Sequence, residues 1–467
     1  MLDFERFIRH SDPVRYLDLD SVYFPTIPTR FFDDYCTLFS TRPCFRHLRS
    51  LICSLNPPMS LNLLHKGLIS LQIDRSALFS TPSSDEQQIT ANNLLARLPN
   101  LVHLRDIVPM PNRGRFSGAY APAGTPFQRD TDRILHNWTF LRHLEASRHL
   151  PDFPAFFAAI SQLCRLEYLK IAIAREDKFE KGVAAGVGPA LGASHTASEL
   201  EIEGEIDDLH VALRLCSPGV VLTSVSLLFY MNGGSDQESV AREYFTLPPL
   251  LSHIPITTLT IDLLDNGEDN QNGVPPWSLS CSAFSTFASP KCNFSKLELR
   301  IPFSVAIAKD FLDLLSRSSP FLESFVILRC TSQDEDYFYF PTLTLENMIQ
   351  FALTLPRLQY LGLEMDARAN TEPEANLGGT TSINPLIGSS SSRLTTIEVG
   401  SSPIDDAAVV AKLLQQHFPA LKTLGWDNDD WYDPEDDYYI SYRRLTREYD
   451  LRWREVSVLL GCSTIGT

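Results

Sequence analysis

A short apolar pattern recurs along nearly the whole chain. Its clearest copy has apolar Leu166, Leu169 and Ile171 around polar Glu167 and Lys170. This Leu-x-x-Leu-x-Leu spacing is typical of a leucine-rich repeat, because alternate residues of a short strand point to one face while the first leucine enters the same core from the turn before it. A unit this small cannot bury its apolar face alone, so it requires a copy on each side.

About fourteen copies follow one another at a spacing of roughly 30 residues, slightly longer than regular leucine-rich repeats. Several follow a segment with helical spacing that ends at a proline, as at Pro99 and Pro356. Proline stops a helix and introduces the turn before the strand. We therefore expect an α/β fold, a leucine-rich-repeat solenoid with a curved parallel sheet of short strands on the concave side and irregular helices on the convex side.

The repeats are expected to occupy residues 1–440, followed by a C-terminal capping helix and tail over residues 441–467. Terminal repeats need such a cover, and the amphipathic spacing of residues 442–460 fits it. Irregular insertions interrupt the pattern near residues 109–131, 175–198, 265–276 and 367–392. Helices between late repeats are predicted at Ala306–Ser316, Leu345–Leu355 and Asp405–His417.

The composition favours a soluble protein of the cytoplasm or nucleus, and we expect a monomer. The formal net charge of −17 argues against nucleic acid or an anionic membrane as a partner. Nine cysteines are scattered without a Cys-x-x-Cys motif, as is typical of reduced, buried thiols. No apolar stretch approaches the roughly 18 residues that a membrane span requires.

Signals for catalysis are weak. The sequence contains no P-loop, nucleophile-elbow or zinc-binding His-Glu-x-x-His motif. The segment Gly186–Gly192 is close to a phosphate-binding glycine pattern, but Pro189 removes an amide N–H and no strand precedes it. We therefore expect a protein that is not an enzyme and that holds no cofactor or metal. An enzyme would need the first two insertions to meet around converging titratable groups.

Outward side chains of successive strands are the strongest candidates for binding. They form adjacent columns of mixed charge, which favours a protein partner. The candidates are Arg105, Arg142, Glu145, Glu167, Lys170, Glu199, Glu201, Lys296, Glu298 and Tyr360. Thr395 and Glu398 are expected to face the same way. His103 and His143 also occupy outward positions, where we interpret them as isolated, solvated imidazoles.

A second candidate is the acidic and aromatic segment over residues 427–439. Its candidate site residues are Asp429, Asp430, Trp431, Asp436 and Asp437. The carboxylates would pair with a basic peptide, and Trp431 would supply a cation–π contact. The alternative is a solvated loop that leads to the C-terminal cap. A calcium loop is disfavoured because Pro434 breaks the alternating spacing of ligands.

The Leu-Pro-x-Leu-x-x-Leu junctions at Leu98–Leu104 and Leu355–Leu361, with the closing segment Trp453–Val456, resemble the F-box/leucine-rich-repeat proteins of mushroom-type fungi. The opening segment Phe4–Leu17 is similar to the one that follows the F-box in that group. The resemblance implies a substrate-recognition solenoid of a Skp–cullin ubiquitin ligase, with the repeats holding the target. Skp and cullin are expected partners only if an F-box lies upstream of this segment. The alternative is a repeat-only interaction scaffold or inhibitor unconnected with ubiquitin.

Overall fold

The computed structural model describes the strands of the repeats and most of the last third of the chain. The described residues are 13–18, 47–54, 66–74, 98–107, 135, 138–148, 156, 159–173, 197–205, 209, 213, 222–230, 256–263, 278–280, 287, 293–301, 304–329, 341–368, 392–426 and 440–464. They fall into two compact units, which we call unit 1 (described residues up to 230) and unit 2 (described residues from 256).

Unit 1 is a parallel sheet of eight short strands among the residues that the structure describes. The strands are β1 (Tyr16–Asp18), β2 (Ser50–Ser54), β3 (Ser70–Asp74), β4 (His103–Ile107), β5 (His143–Arg148), β6 (Tyr168–Ile173), β7 (Glu199–Glu205) and β8 (Ser224–Tyr230). Each strand pairs in parallel with the next one along the chain. Sequence neighbours are therefore sheet neighbours, as a repeat stack requires.

The second position of each strand in unit 1 is apolar and in register with its neighbours. Seven members of this column are at most 3% exposed: Leu51, Leu71, Leu104, Leu144, Leu169, Leu200 and Val225. Leu166 and Ile171, which share the repeat pattern with Leu169, are also fully buried. Burial of one such side chain contributes about 1.5–3 kcal/mol to the free energy of folding. Each added repeat therefore stabilises the repeats beside it.

A backbone joint links the turns that precede successive strands. The carbonyl of Arg49 accepts the N–H groups of Ile69 and Ser70, both at 2.9 Å. The carbonyl of Ile69 in turn accepts those of Val102 and His103, at 2.8 and 3.0 Å. The same pair of hydrogen bonds recurs between other repeats of both units. The joint fixes the strand register through main-chain groups alone.

The main strands of unit 2 also pair in parallel in the described part of the chain. They are β9 (Thr258–Leu263), β11 (Lys296–Ile301), β13 (Ser324–Arg329), β14 (Tyr360–Leu363), β15 (Thr396–Glu398), β16 (Thr423–Gly425) and β17 (Ser463–Thr464). A separate parallel pair joins β10 (Ser278–Ser280) to β12 (Ser304–Ala306). The helices are α1 (Lys309–Ser318), α2 (Leu345–Thr354), α3 (Ala407–His417) and α4 (Ile440–Leu460). This architecture is an α/β leucine-rich-repeat solenoid, which confirms the predicted fold class.

Each of the helices α1, α2 and α3 ends directly before a residue that precedes a proline. Ser319, Leu355 and Phe418 leave the helical conformation, with ψ of 64°, 92° and 64°. The next residue is proline in all three cases. Because the proline ring disfavours the helical conformation in the residue before it, the sequence itself fixes where these helices end.

Two of these three helices begin later than predicted. Helix α1 starts at Lys309 rather than Ala306, because Ser304–Ala306 pairs as a strand and Ala308 is extended. Helix α3 starts at Ala407, where the carboxylate of Asp406 caps it by accepting the N–H of Val409 at 3.0 Å. Helix α2 begins at Leu345 as predicted, with Thr344 as its cap.

The C-terminal helix α4 packs on unit 2. Trp453 and Val456 are buried, and the Trp453 indole donates a hydrogen bond to the carbonyl of Ser402 at 2.8 Å. After the helix, Ser463 pairs with Thr423, so the tail adds strand β17 to the sheet. The sequence had indicated a helix and tail here, without this last strand.

The four predicted insertions lie outside the described residues except at their margins, residues 197–198, 367–368 and 392. The acidic and aromatic segment over residues 427–439 also lies outside them.

Candidate functional site

The outward side chains of unit 1, which we call the strand face, include a row of alternating charges. Arg105, Glu145, Lys170 and Glu201 are in register on β4, β5, β6 and β7. Arg105 Nε lies 3.1 Å from Glu145 Oε2, and Lys170 Nζ donates to Glu201 Oε1. Opposite charges at directly opposed strand positions attract, so the row is held together by its own members.

Further polar contacts extend this row on both sides. Lys170 Nζ lies 3.7 Å from Glu203 Oε2, and the Tyr168 hydroxyl donates to Glu201 Oε2 at 2.8 Å. At the other end, Arg105 Nη1 donates to Gln72 Oε1 at 3.5 Å. The polar contacts of the strand face therefore extend over β3–β7.

The environment of the network fixes the protonation of two donors. Burial and the hydrogen bond to Glu201 raise the pKa of the Tyr168 phenol. Burial alone would lower the pKa of Lys170, but its hydrogen bond to Glu201 and the charges of Glu203 and Glu145 outweigh it, so this pKa is raised. Lys170 therefore stays cationic and Tyr168 neutral at physiological pH. Both side chains donate hydrogen bonds to the Glu201 carboxylate.

Two histidines belong to the same surface. The His143 ring stacks on Tyr168, with ring centroids 4.1 Å apart and an interplanar angle of 9°, and its Nε2 lies 3.1 Å from Glu145 Oε1. His103 lies 5.6 Å from His143 between ring centroids. Burial, and then the nearby charges of His143 and Arg142, lower the pKa of His103. His143 is therefore packed against Tyr168, unlike the isolated, solvated imidazole that the sequence suggested, whereas His103 is exposed.

The other candidates of unit 1 lie beside the row. Arg142 Nη1 and Glu167 Oε1 form an ion pair of 3.1 Å in the turns before β5 and β6, with both side chains more than half exposed. Glu199 is exposed and lies next to Tyr168 in the sheet register.

The candidates of unit 2 form two separate groups. Lys296 and Glu298 share strand β11 and form an ion pair of 3.0 Å, and Ser324 Oγ donates to Glu298 at 2.7 Å. Tyr360 lies on β14, where its hydroxyl donates to Glu398. Burial and this hydrogen bond raise the pKa of the Tyr360 phenol.

Sequence reasoning missed the main partner of Glu398. Arg300 binds both carboxylate oxygens of Glu398, at 3.3 and 2.9 Å, and Glu398 is only 7% exposed. Val326 and Leu328 occupy the strand positions between them and are buried. Glu398 is thus part of a structural cluster and not the solvent-facing residue that its strand position suggested. The sequence did contain a signal for this cluster. Val326 and Leu328 on β13 are apolar, whereas the residues opposite them on β11, Glu298 and Arg300, are charged.

Within the residues that the structure describes, His, Cys, Asp and Glu side chains do not cluster in a way that could hold a metal ion. None of the described helices combines the length and the apolar character that crossing a membrane requires. Asp429, Asp430, Trp431, Asp436 and Asp437 lie outside the described residues.

Comparison with known proteins gives a distant structural likeness. No family model and no curated protein matches the sequence. Among solved structures, a chain in the crystal structure of the Rad7 and Elc1 complex in yeast matches with 14% identity and a TM-score of 0.34. The match covers 93% of this chain and 90% of that one.

Proposed function

We propose that this chain is a non-enzymatic scaffold that binds a protein partner on the strand face of unit 1, and that it serves as the substrate-recognition part of an F-box-type ubiquitin-ligase adaptor. The observation that carries the binding role is the row Arg105, Glu145, Lys170 and Glu201, which presents alternating charges on four consecutive strands.

The row is organised before any partner arrives. Its side chains are already held by ion pairs and hydrogen bonds to one another. A partner that docks here therefore orders few additional side chains, which lowers the entropic cost of association. The Tyr168 and His143 rings add flat, partly exposed surface of the kind that recurs at protein interfaces.

The charge pattern also defines the partner. Cationic and anionic groups alternate at the strand spacing of about 4.8 Å, so a surface of uniform charge would meet repulsion at every second position. A folded protein or peptide with both charge signs fits this row better than a polyanion. The ubiquitin-ligase part of the proposal is supported by the resemblance of the repeat junctions and closing helix to F-box/leucine-rich-repeat proteins.

The test is affinity capture of the protein tagged at its native locus in its host, with mass spectrometry of the recovered proteins and of the protein's own N-terminus, because Skp and cullin require an F-box upstream of this segment. Recovery of Skp and cullin together with a target protein is the expected result. A reproducible partner without Skp and cullin would refute the ligase role and leave a repeat-only scaffold. Reproducible absence of any partner would overturn the binding role as well.

A strand-face variant connects the captured partner to this surface. The double substitution Arg105→Glu with Glu199→Lys reverses two exposed charges without changing net charge. The matched control, Arg447→Glu with Glu455→Lys, does the same at exposed positions of α4. We expect the first variant to lose the target protein and the control to retain it. Equal recovery by both variants would contradict binding at the strand face.

A further inference from the structure

The turns that directly precede strands β1–β6 carry a charge opposite to that of the whole chain. We call their exposed side chains the N-terminal edge of unit 1. Its described residues include five cations and one carboxylate: Arg15, Arg49, Lys66, Arg142 and Arg165 against Glu167. The whole sequence has 57 acidic and 40 basic residues. The edge is therefore a local reversal of charge on an acidic protein.

Three of these cations are concentrated in adjacent turns. Arg15 and Arg49 occupy the same position before β1 and β2, joined by the hydrogen bond from Arg49 N–H to the Arg15 carbonyl at 2.8 Å. Arg49 Nη1 also donates to the carbonyl of Gly67 at 3.0 Å, which brings the guanidinium to the turn that carries Lys66. Arg15, Arg49 and Lys66 are exposed.

These three cations form no ion pair with any residue in the described parts of the chain. Like charges at neighbouring strand positions repel each other and destabilise the sheet. The only carboxylate on the described N-terminal edge, Glu167, is paired with Arg142 at 3.1 Å. Arg15, Arg49 and Lys66 therefore form an uncompensated cationic cluster that a ligand of opposite charge would stabilise.

The far part of the edge adds an apolar contact. The guanidinium carbon of Arg165 lies 4.8 Å from the centroid of the Phe140 ring, and Phe140 is 43% exposed. Arg165 is thereby held over an aromatic surface instead of extending freely into solvent. The N-terminal edge combines fixed cations with one exposed aromatic ring.

We propose that the N-terminal edge of unit 1 binds an extended acidic segment of a partner protein. Neighbouring turns lie about 4.8 Å apart, and alternate side chains of an extended peptide lie roughly 7 Å apart, so long arginine and lysine side chains can meet successive carboxylates. The contact at Phe140 suits an apolar residue of the same peptide.

Nucleic acid fits the edge less well. A polyanion would meet long-range repulsion from a chain of net charge −17, whereas a short peptide samples mainly the local field of the edge. The proposal does not rest on binding at the strand face, because Arg15, Arg49 and Lys66 are not among the candidate residues of that face.

The experiment is a fluorescence-anisotropy titration of the full chain with a labelled peptide of alternating glutamate and serine. The triple variant Arg15→Glu, Arg49→Glu, Lys66→Glu should bind this peptide about tenfold more weakly or worse, since each exposed ion pair changes affinity by up to about fivefold. The control variant Lys309→Glu, Lys412→Glu, Arg447→Glu makes the same change in net charge at exposed helix positions and should bind like the wild type.

A second variant distinguishes a loss of charge from a loss of folding. Replacing the same three cations by glutamine removes their charge with less disturbance and should give an intermediate loss of affinity. The strand-face variant Arg105→Glu with Glu199→Lys should bind the peptide normally, so this proposal and the proposed function are tested separately.

Three results would overturn the proposal. The first is equal affinity of the wild type for the glutamate peptide and for a matched lysine peptide. The second is equal affinity of the wild-type and edge variants for the glutamate peptide. The third is tighter binding of a labelled oligouridylate of matched length, which would identify a nucleic-acid surface instead.

Discussion

Arg300 and Glu398 form a bidentate ion pair across two intervening strands. Their own strands, β11 and β15, are separated by β13 and β14, a distance of about 14 Å at the usual strand spacing. The side chains of Arg300 and Glu398 meet across it, while Tyr360 donates to the same carboxylate. Three strands of unit 2, β11, β14 and β15, are thereby linked by side chains.

Removing this arginine should destabilise unit 2. Arg300→Ala leaves the buried Glu398 carboxylate without its cation, and we expect the free energy of unfolding to fall by about 2–3 kcal/mol. Urea denaturation measures the change. Arg300→Ala combined with Glu398→Leu should lose less than Arg300→Ala alone, because no buried charge then remains. A larger loss in the double variant would contradict this account.

A glycine on β14 allows the side chains of Val326 and Leu328 to pack closely against the backbone. A Cβ atom at Gly362 would lie 2.9 Å from Val326 Cγ1 and 3.1 Å from Leu328 Cδ1, closer than carbon atoms pack. Gly362→Ala should therefore destabilise unit 2 by about 1–3 kcal/mol through overpacking. Adding Val326→Ala removes the methyl groups that clash and should recover part of this loss in thermal melts. Further destabilisation in the double variant would contradict the steric cause.

The indole of Trp453 should be the main anchor of helix α4. It is 1% exposed and its Nε1 donates to the buried Ser402 carbonyl. Trp453→Ala should reduce the free energy of unfolding by about 3–5 kcal/mol, and Trp453→Phe by less, because the phenyl ring retains most of the apolar contact. Val458 is 75% exposed on the same helix, so Val458→Ala is the control and should change stability little.

His103 should titrate below its ordinary pKa of 6.5. Because the folded state holds this proton less tightly than the unfolded chain, the stabilising contribution is complete above pH 6.5 and is lost as the pH falls through the lowered pKa. NMR titration of the imidazole measures the value, with His103→Gln to assign the signal. His143→Gln removes a nearby positive charge and should raise the pKa of His103, whereas His417→Gln should leave it unchanged.

The sequence was sufficient to predict the repeat core. Leu166, Leu169 and Ile171 are buried as their spacing predicts, because a two-residue alternation can direct side chains to only one side of a strand. Prolines 320, 356 and 419 also mark the helix ends, since their effect acts on the preceding residue alone. Such local rules need no knowledge of the rest of the chain.

Contacts between distant repeats were not predictable in the same way. Arg300 and Glu398 are 98 residues apart on strands separated by β13 and β14, so the spacing within one repeat does not relate them. The alternating row at Arg105 and Glu145 was easier to anticipate, because both occupy the same position of consecutive repeats. Local spacing therefore predicts which side chains are neighbours in the row of unit 1, whereas the cluster of unit 2 depends on contacts across two intervening strands.

The backbone joint between turns has a consequence for how this protein can evolve. The joining carbonyl belongs to arginine, isoleucine, valine, arginine and glutamate at successive repeats, at positions 49, 69, 102, 142 and 167, with the same two hydrogen bonds each time. Since the main chain supplies the connection, mutation can rewrite the chemistry of the N-terminal edge without loosening the stack. A lineage can therefore exchange one binding preference for another while inheriting the same scaffold.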